Sequence, residues 1–447
     1  MTRQNAANIF DTAARLAFAA MLVALPLRGR IVIASRPLGI VYRDYTDFIF
    51  FASDAFLLLT LAAWTLSLVA APRRVRAGPL FIAMPLAGLT ALAIVSIGSS
   101  FDPALSLYHS LRLILLAGLY IFLVNENISR AWIISAIGLQ IVIQSIVGLR
   151  QIGIQHSLGL SAWGELELDP AWSGVSIVFS NGIRILRAYG LTDHPNLLGG
   201  VVAFGLVAIA AAIASARNWQ RAFLLPVFLL GTLILFFTFS RAAWLAFAIG
   251  IAFLAWRYAR TNQTRALRVL FLFCLAASIL IAPFAWQSAD AIGMRVSRQD
   301  APNQFAIERR SLDERAALNA AANTLFAEHP LTGVGIGALP VAMSARFPNF
   351  DFYYQPAHVV LLNAAAETGI LGALFYFALM VAPWIAMRQR RARNSSKMIG
   401  PAALLLAITL VGFFDYYSWL LAPGRLWQWI AWGWFARAYR TSEVTDA

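Results

Sequence analysis

Charge is what this chain has least of. Asp, Glu, Lys and Arg make up only 13% of its 447 residues, about half the share found in an ordinary soluble domain. Cysteine is nearly absent: the single Cys274 lies in an apolar run, which excludes an intrachain disulfide and a thiolate-built metal centre. The five histidines form no close pair, and HExxH, GxSxG and P-loop patterns are all missing. The apolar start, Ile9 to Leu27, has no small-residue cleavage site after it, so it reads as a retained first helix and not as a signal peptide.

Hydrocarbon fills the space that charge leaves. Apolar residues make up 60% before the 29 glycines are added, more than a single water-soluble core can hide. A soluble enzyme, a disordered chain, a collagen and a coiled coil are excluded together. The composition implies an all-α polytopic membrane protein, one transmembrane domain over residues 1–447.

About 20 apolar residues cross a bilayer, and that ruler predicts twelve spans: 9–27, 48–71, 79–98, 110–124, 131–152, 197–215, 222–239, 242–257, 268–287, 358–386, 398–414 and 426–438. The net charge of +14 would suggest nucleic acid on a soluble protein; here its distribution across the membrane matters instead, and no nucleic-acid partner is expected. With both termini inside, the inner segments carry 19 basic residues and four acidic ones, while everything else carries −1. Lys and Arg gather on the cytoplasmic side of membrane proteins, so this topology is the expected one.

Two outer loops, 153–196 and 288–357, exceed what a connection requires. In the first, VSIVF and IRILRAY flank Asn181-Gly182, a hairpin signal. In the second, Ser311 and Glu314 have capping-box spacing and Pro330 stops the pattern, predicting an outer-face helix over Leu312–Glu328. GVGIG at 333–337 follows no strand of a βαβ unit and reads as a flexible turn. Capping and dipole compensation account for the acidic pair Asp313-Glu314 more simply than a divalent metal does, so no metal and no cofactor are expected.

Arginine on the outer side stands out: Arg184, Arg187, Arg241, Arg309, Arg310, Arg315 and Arg346. Arg241 sits where spans seven and eight meet almost without a loop. It reads either as a snorkelling anchor or as a phosphate ligand, since a planar fork suits bidentate binding. His358 opens the tenth span, as a polar cap or as an acid–base group. Asn363 and Glu367 share a helix face with each other but not with His358. Glu367 and Asp54 lie inside spans, where a carboxyl group is costly and usually paired; no partner for Asp54 is evident. His194, before Pro195 and Asn196, marks a helix start at an outer edge and is equally a candidate site residue.

Four ordered segments carry a resemblance: RAYGLTDHPNLLGG (187–200), FSRAAWLAF (239–247), ERAALNAAANTLFAEHPLTGVGIG (314–337) and AHVVLLNAAAETGILG (357–372). Over roughly 180–380 the chain resembles the O-antigen ligase and polymerase superfamily of bacterial membrane glycosyltransferases. The resemblance implies a glycosyltransferase C-type fold in the cytoplasmic membrane and metal-independent, inverting transfer of a glycan from an undecaprenyl-pyrophosphate carrier to a glycan or lipid acceptor. It implies catalytic roles for His358, Arg241 and Arg315, the last opening the outer helix. Arg187 matches an earlier motif arginine. With it, His194, Arg310 and Glu367 are expected to bind substrate. Members often read His-Asn or His-Ser, whereas Val359 follows the histidine here. A ligase, a polymerase and a protein O-oligosaccharyltransferase share these motifs. A lipid-linked glycan flippase is the alternative of another class, although transporters tend to place their charges near the midplane.

Overall fold

The computed structural model describes residues 2–180, 182–214, 216–297, 302–388 and 395–444. Asn181, at the tip of the expected hairpin, lies outside them. Among the described residues, fifteen α-helices dominate, accompanied by two short antiparallel strand pairs.

Ten helices are long and apolar enough to cross a membrane: α1 (Arg3–Ala24), α2 (Ala52–Ala70), α3 (Leu80–Val95, with a 3-10 turn to Ser99), α4 (Pro103–Asn125), α5 (Arg130–Ile154), α6 (Pro195–Ile213), α7 (Asn218–Phe237), α8 (Arg241–Arg260), α9 (Thr264–Gln287) and α13 (Val360–Ala386). Between α9 and α13 come α10 (Ala289–Ser297), α11 (Pro302–Glu328) and α12 (Leu339–Arg346). The chain closes with α14 (Ile399–Val411), a shorter apolar helix, and α15 (Ala422–Val444), where the last two of the twelve expected spans were placed. Two of these spans are longer than hydropathy alone suggests. α4 begins at Pro103 and not near residue 110, because its polar first turns are buried against protein: the Ser110 hydroxyl donates to the Ala93 carbonyl, and His109 is 7% exposed. α15 extends the last span at both ends, with Arg425 and Gln428 buried among Trp427 and Trp432.

Helix α6 is apolar all round, the mark of a helix with no lipid-facing side. Nearly every residue of it is buried, and it packs on α5, α7, α8, α14 and α15. Small residues let neighbours approach closely within a membrane: a Cβ on Gly200 would collide with the Tyr417 ring.

The two ends of the bundle differ. One end has short connections and a buried ionic group, in which Glu126 accepts from Arg15 (3.1 Å), Arg73 (2.7 Å) and the Trp64 indole (3.0 Å). The other end carries every long loop. There β1 (Arg30–Ala34) pairs with β2 (Phe48–Phe51), and β3 (Ile177–Ser180) pairs with β4 (Ile183–Leu186), Phe179 facing Arg184.

Helix α11 corrects the expected start at Leu312. It runs unbroken from Pro302, a residue suited to a first turn because it has no N–H to satisfy. Ser311 and Glu314 are therefore interior to it, and Arg315 lies mid-helix and does not open it. GVGIG is a correction as well. Gly333, Gly335 and Gly337 all have positive φ (67°, 99° and 73°), and the loop is fastened: Val334 N–H donates to Ala366 O (2.8 Å) and Gly335 N–H to Glu367 O (3.0 Å). A Cβ on Gly333 would stand 2.5 Å from the Glu367 carbonyl oxygen. These glycines serve close approach, not looseness. The loop seats on α13 where Gly369 (φ 72°) breaks its helical path.

Candidate functional site

At the loop-bearing end, the start of α6 is built by its own sequence. His194 is the N-cap: its Nδ1 accepts from Asn196 N–H (3.0 Å), and Pro195 occupies the first turn. With Nδ1 accepting, the ring proton belongs on Nε2, which faces Ser176 Oγ at 2.9 Å. The Asn196 side chain points both ways. Its oxygen accepts from Arg187 Nη2 (2.7 Å), and its amide donates to Asp415 Oδ2 (3.2 Å). Arg187 is only 4% exposed and also donates through Nε to the Thr238 carbonyl (2.7 Å), clamping the end of α7 to the start of α6. Below this, Asp193 pairs with Arg28 and, at 3.6 Å, with Arg30. Burial raises the Asp193 pKa above the usual carboxylate range, and Asp44 adds to the effect.

Asp415 and Tyr416 come from the turn between α14 and α15. Asp415 Oδ1 accepts from Tyr416 N–H (2.9 Å), and the Tyr416 ring meets His358 edge-on, centroids 5.1 Å apart. His358 lies just before α13, whose N-cap is Val359, so it precedes the helix it was expected to begin. Its main-chain N–H donates to Asn319 Oδ1 on α11 (2.9 Å). Its Nδ1 is buried with no hydrogen-bond partner, and a buried polar atom of that kind needs an explanation. Burial pushes its pKa down to about 4; the Asp415 carboxylate works against this, and the Arg315 guanidinium adds to it. His358 is accordingly neutral at pH 7, with Asp415 placed to stabilise a proton once it arrives.

A second chain of contacts binds α11 to the same turn. Gln355 donates to Glu314 Oε1 (2.8 Å) and accepts from the Tyr416 hydroxyl (3.1 Å), which also shares a hydrogen bond with Tyr45. Burial raises the Glu314 pKa, while Gln355, Arg310 and Arg315 pull it down. Asp313 turns away toward Arg309, 3.9 Å distant and exposed.

Arg187 and His194 thus reach the Asp415–Tyr416 turn through Asn196, and His358 meets it directly, while Arg315 acts on His358 and, with Arg310, on Glu314. Arg241 is exposed and begins α8, two positions after Phe239, a buried residue in left-handed conformation (φ 47°). Only Phe239 and Ser240 separate Arg241 from Thr238, whose carbonyl accepts from Arg187. Glu367 has a different setting. It is fully buried on α13, and its Oε2 accepts from Gly337 N–H (2.8 Å) and the Trp419 indole (2.7 Å). Asn363 reaches back to the Ala357 carbonyl (2.7 Å). Asp54 does have a partner, Arg112 at 2.9 Å. Asn196, Asn319, Gln355, Asp415 and Tyr416 escaped sequence reasoning; the one available signal was an Asp amid aromatics in FFDYYSW, at the end of a span.

No curated protein matches this chain. Residues 226–377, from within α7 to within α13, match the family model described as O-antigen ligase. That stretch holds Arg241, Arg310, Arg315, His358 and Glu367, while Arg187, His194 and Asp415 lie outside it. Over this stretch, on a bundle of the expected helical architecture, the chain is similar to the O-antigen ligase family.

Proposed function

We propose that this protein is an inverting membrane glycosyltransferase. It moves a glycan from an undecaprenyl-pyrophosphate carrier to an acceptor hydroxyl at the outer face of the bacterial cytoplasmic membrane. The observation that carries the reading is His358: a neutral imidazole with an unpartnered buried nitrogen, beside a carboxylate and an arginine.

The acceptor oxygen attacks the sugar C1 from the face opposite the carrier. The C1–O bond breaks with its electron pair going to the pyrophosphate, and the hydroxyl proton passes to His358, where Asp415 stabilises the imidazolium. Pyrophosphate is already a good leaving group, so the remaining work is to hold it and to stabilise its growing charge. Arg241 and Arg315 do this; always charged and bidentate, they take the place a divalent cation has in other enzymes. Arg187, tied to Thr238 and Asn196, positions the Arg241 turn and Asp415. Arginine-rich loops at the opposite end support a cytoplasmic location for both termini.

Purified full-length protein in nanodiscs, given undecaprenyl-pyrophosphate-linked glycan and an acceptor extract, tests this. The expected result is acceptor-dependent release of undecaprenyl pyrophosphate, lowered about a hundredfold or more in His358→Ala. Identifying the labelled product separates ligase, polymerase and protein transferase. No release by folded wild type across several donors would sink the reading and favour a flippase.

A further inference from the structure

Away from the His358 group, a cavity of about 160 Å³ lies between α2, α4 and α15 under the β1–β2 hairpin. Its wall is largely leucine and isoleucine, and two of the lining residues, Ile33 (64% exposed) and Leu111 (54% exposed), put its mouth on the lipid-facing surface. Three charged side chains interrupt this wall: Asp54, Arg112 and Arg425.

Asp54 and Arg112 neutralise one another at 2.9 Å, and Arg112 Nη1 also donates to the Ile49 carbonyl (3.0 Å) and the Tyr108 hydroxyl (2.6 Å). Arg425 differs. It is 2% exposed, its Nε donates to the Trp419 carbonyl, and its Nη1 faces His109 Nδ1 at 3.2 Å. Its Nη2 is buried with no hydrogen-bond partner, and among the described residues Arg425 makes no ion pair. Of the carboxylates that act on it, Asp54 is paired with Arg112, and Glu367 spends its Oε2 on Gly337 and Trp419 while its Oε1 is buried without a hydrogen-bond partner. A buried guanidinium is costly unless an anion faces it.

We infer that this cavity is a lipid-phosphate site: Arg425 and Arg112 hold a phosphate ester, and its hydrocarbon chain leaves past Leu57, Leu115 and Leu111 into the bilayer. The unpartnered Nη2 of Arg425 can donate a charge-assisted hydrogen bond to a phosphate oxygen, and an apolar passage beside it fits an acyl or prenyl chain. The shared chemistry is a phosphate on a lipid, whether it comes from bulk phospholipid or from a polyprenyl phosphate.

Native mass spectrometry on the full-length protein in detergent, titrated with phosphatidylglycerol, farnesyl phosphate and diacylglycerol, tests it. Wild type is expected to bind one of the two phosphate lipids at least about tenfold more tightly than diacylglycerol, and the tighter of the two identifies the source. Arg425→Gln, and Leu115→Trp at the mouth, should each weaken that binding about tenfold, while His358→Ala leaves it unchanged. Should Arg425→Gln fail to give monodisperse protein, Leu115→Trp decides alone. Equal affinity for diacylglycerol, undiminished binding by Leu115→Trp, or an equal loss in His358→Ala would overturn the site. Because the readout is binding, the outcome is independent of whether glycosyl transfer is detected.

Discussion

Two residues lend themselves to direct tests of the chemistry. His358 accepts a proton only while neutral. Its pKa is about 4, so the acid limb of kcat/KM should fall near that value, well below the usual histidine range. Asp415 pushes the pKa upward; Asp415→Asn should move the limb to lower pH and reduce turnover, and a limb that stays in place would remove Asp415 from the relay. A pyrophosphate bound beside the ring raises the pKa in the complex, so the limb of kcat should lie above that of kcat/KM. For Arg241 the discriminating change is to lysine. A point charge without the planar fork should lose about tenfold to a hundredfold in kcat if holding is bidentate, measured by undecaprenyl pyrophosphate release. Full activity in Arg241→Lys would leave only a helix-end anchor.

Elements position those residues, and here the glycine loop between α11 and α12 matters most. It locks α13 at its break, and α13 begins two residues after His358. Gly333→Ala puts a side chain at positive φ, worth about 1–3 kcal/mol, and presses its Cβ against the α13 backbone. The variant should melt several degrees lower in detergent, whereas Gly293→Ala, where a Cβ meets open space, should not. Equal melting of both variants would mean that the loop yields easily. Such packing was beyond the reach of pattern reading. A glycine-rich run looks the same whether its glycines allow motion or contact, and only the neighbours, Glu367, Ser100 and His109, decide between them. The capping-box spacing in α11 misled for a related reason. Ser311 and Glu314 satisfy the local rule, but the helix already had a start at Pro302.

For the whole molecule, orientation is the open prediction. With Cys274→Ser as background, a cysteine at Ser173 should react with a membrane-impermeant maleimide in intact cells, and one at Arg74 only after permeabilisation; the reverse pattern would invert the topology. The ten long apolar spans, the arginine asymmetry and the likeness to the O-antigen ligase family could all be read along the chain, because a bilayer imposes length, hydrophobicity and charge one segment at a time. The motif residues Arg187, His194, Arg315 and His358 were legible in the same way, each within its own stretch. Their assembly was not. Asp415 stands 57 residues beyond His358 and 219 beyond Asn196, and no local pattern ties the three together. Nor does the sequence distinguish an arginine spent on oxygen acceptors, such as Arg187, from one with a buried nitrogen left unpartnered, such as Arg425. Those facts arise where helices distant in sequence meet, since a hydrogen bond depends on position in space and hydropathy only on composition.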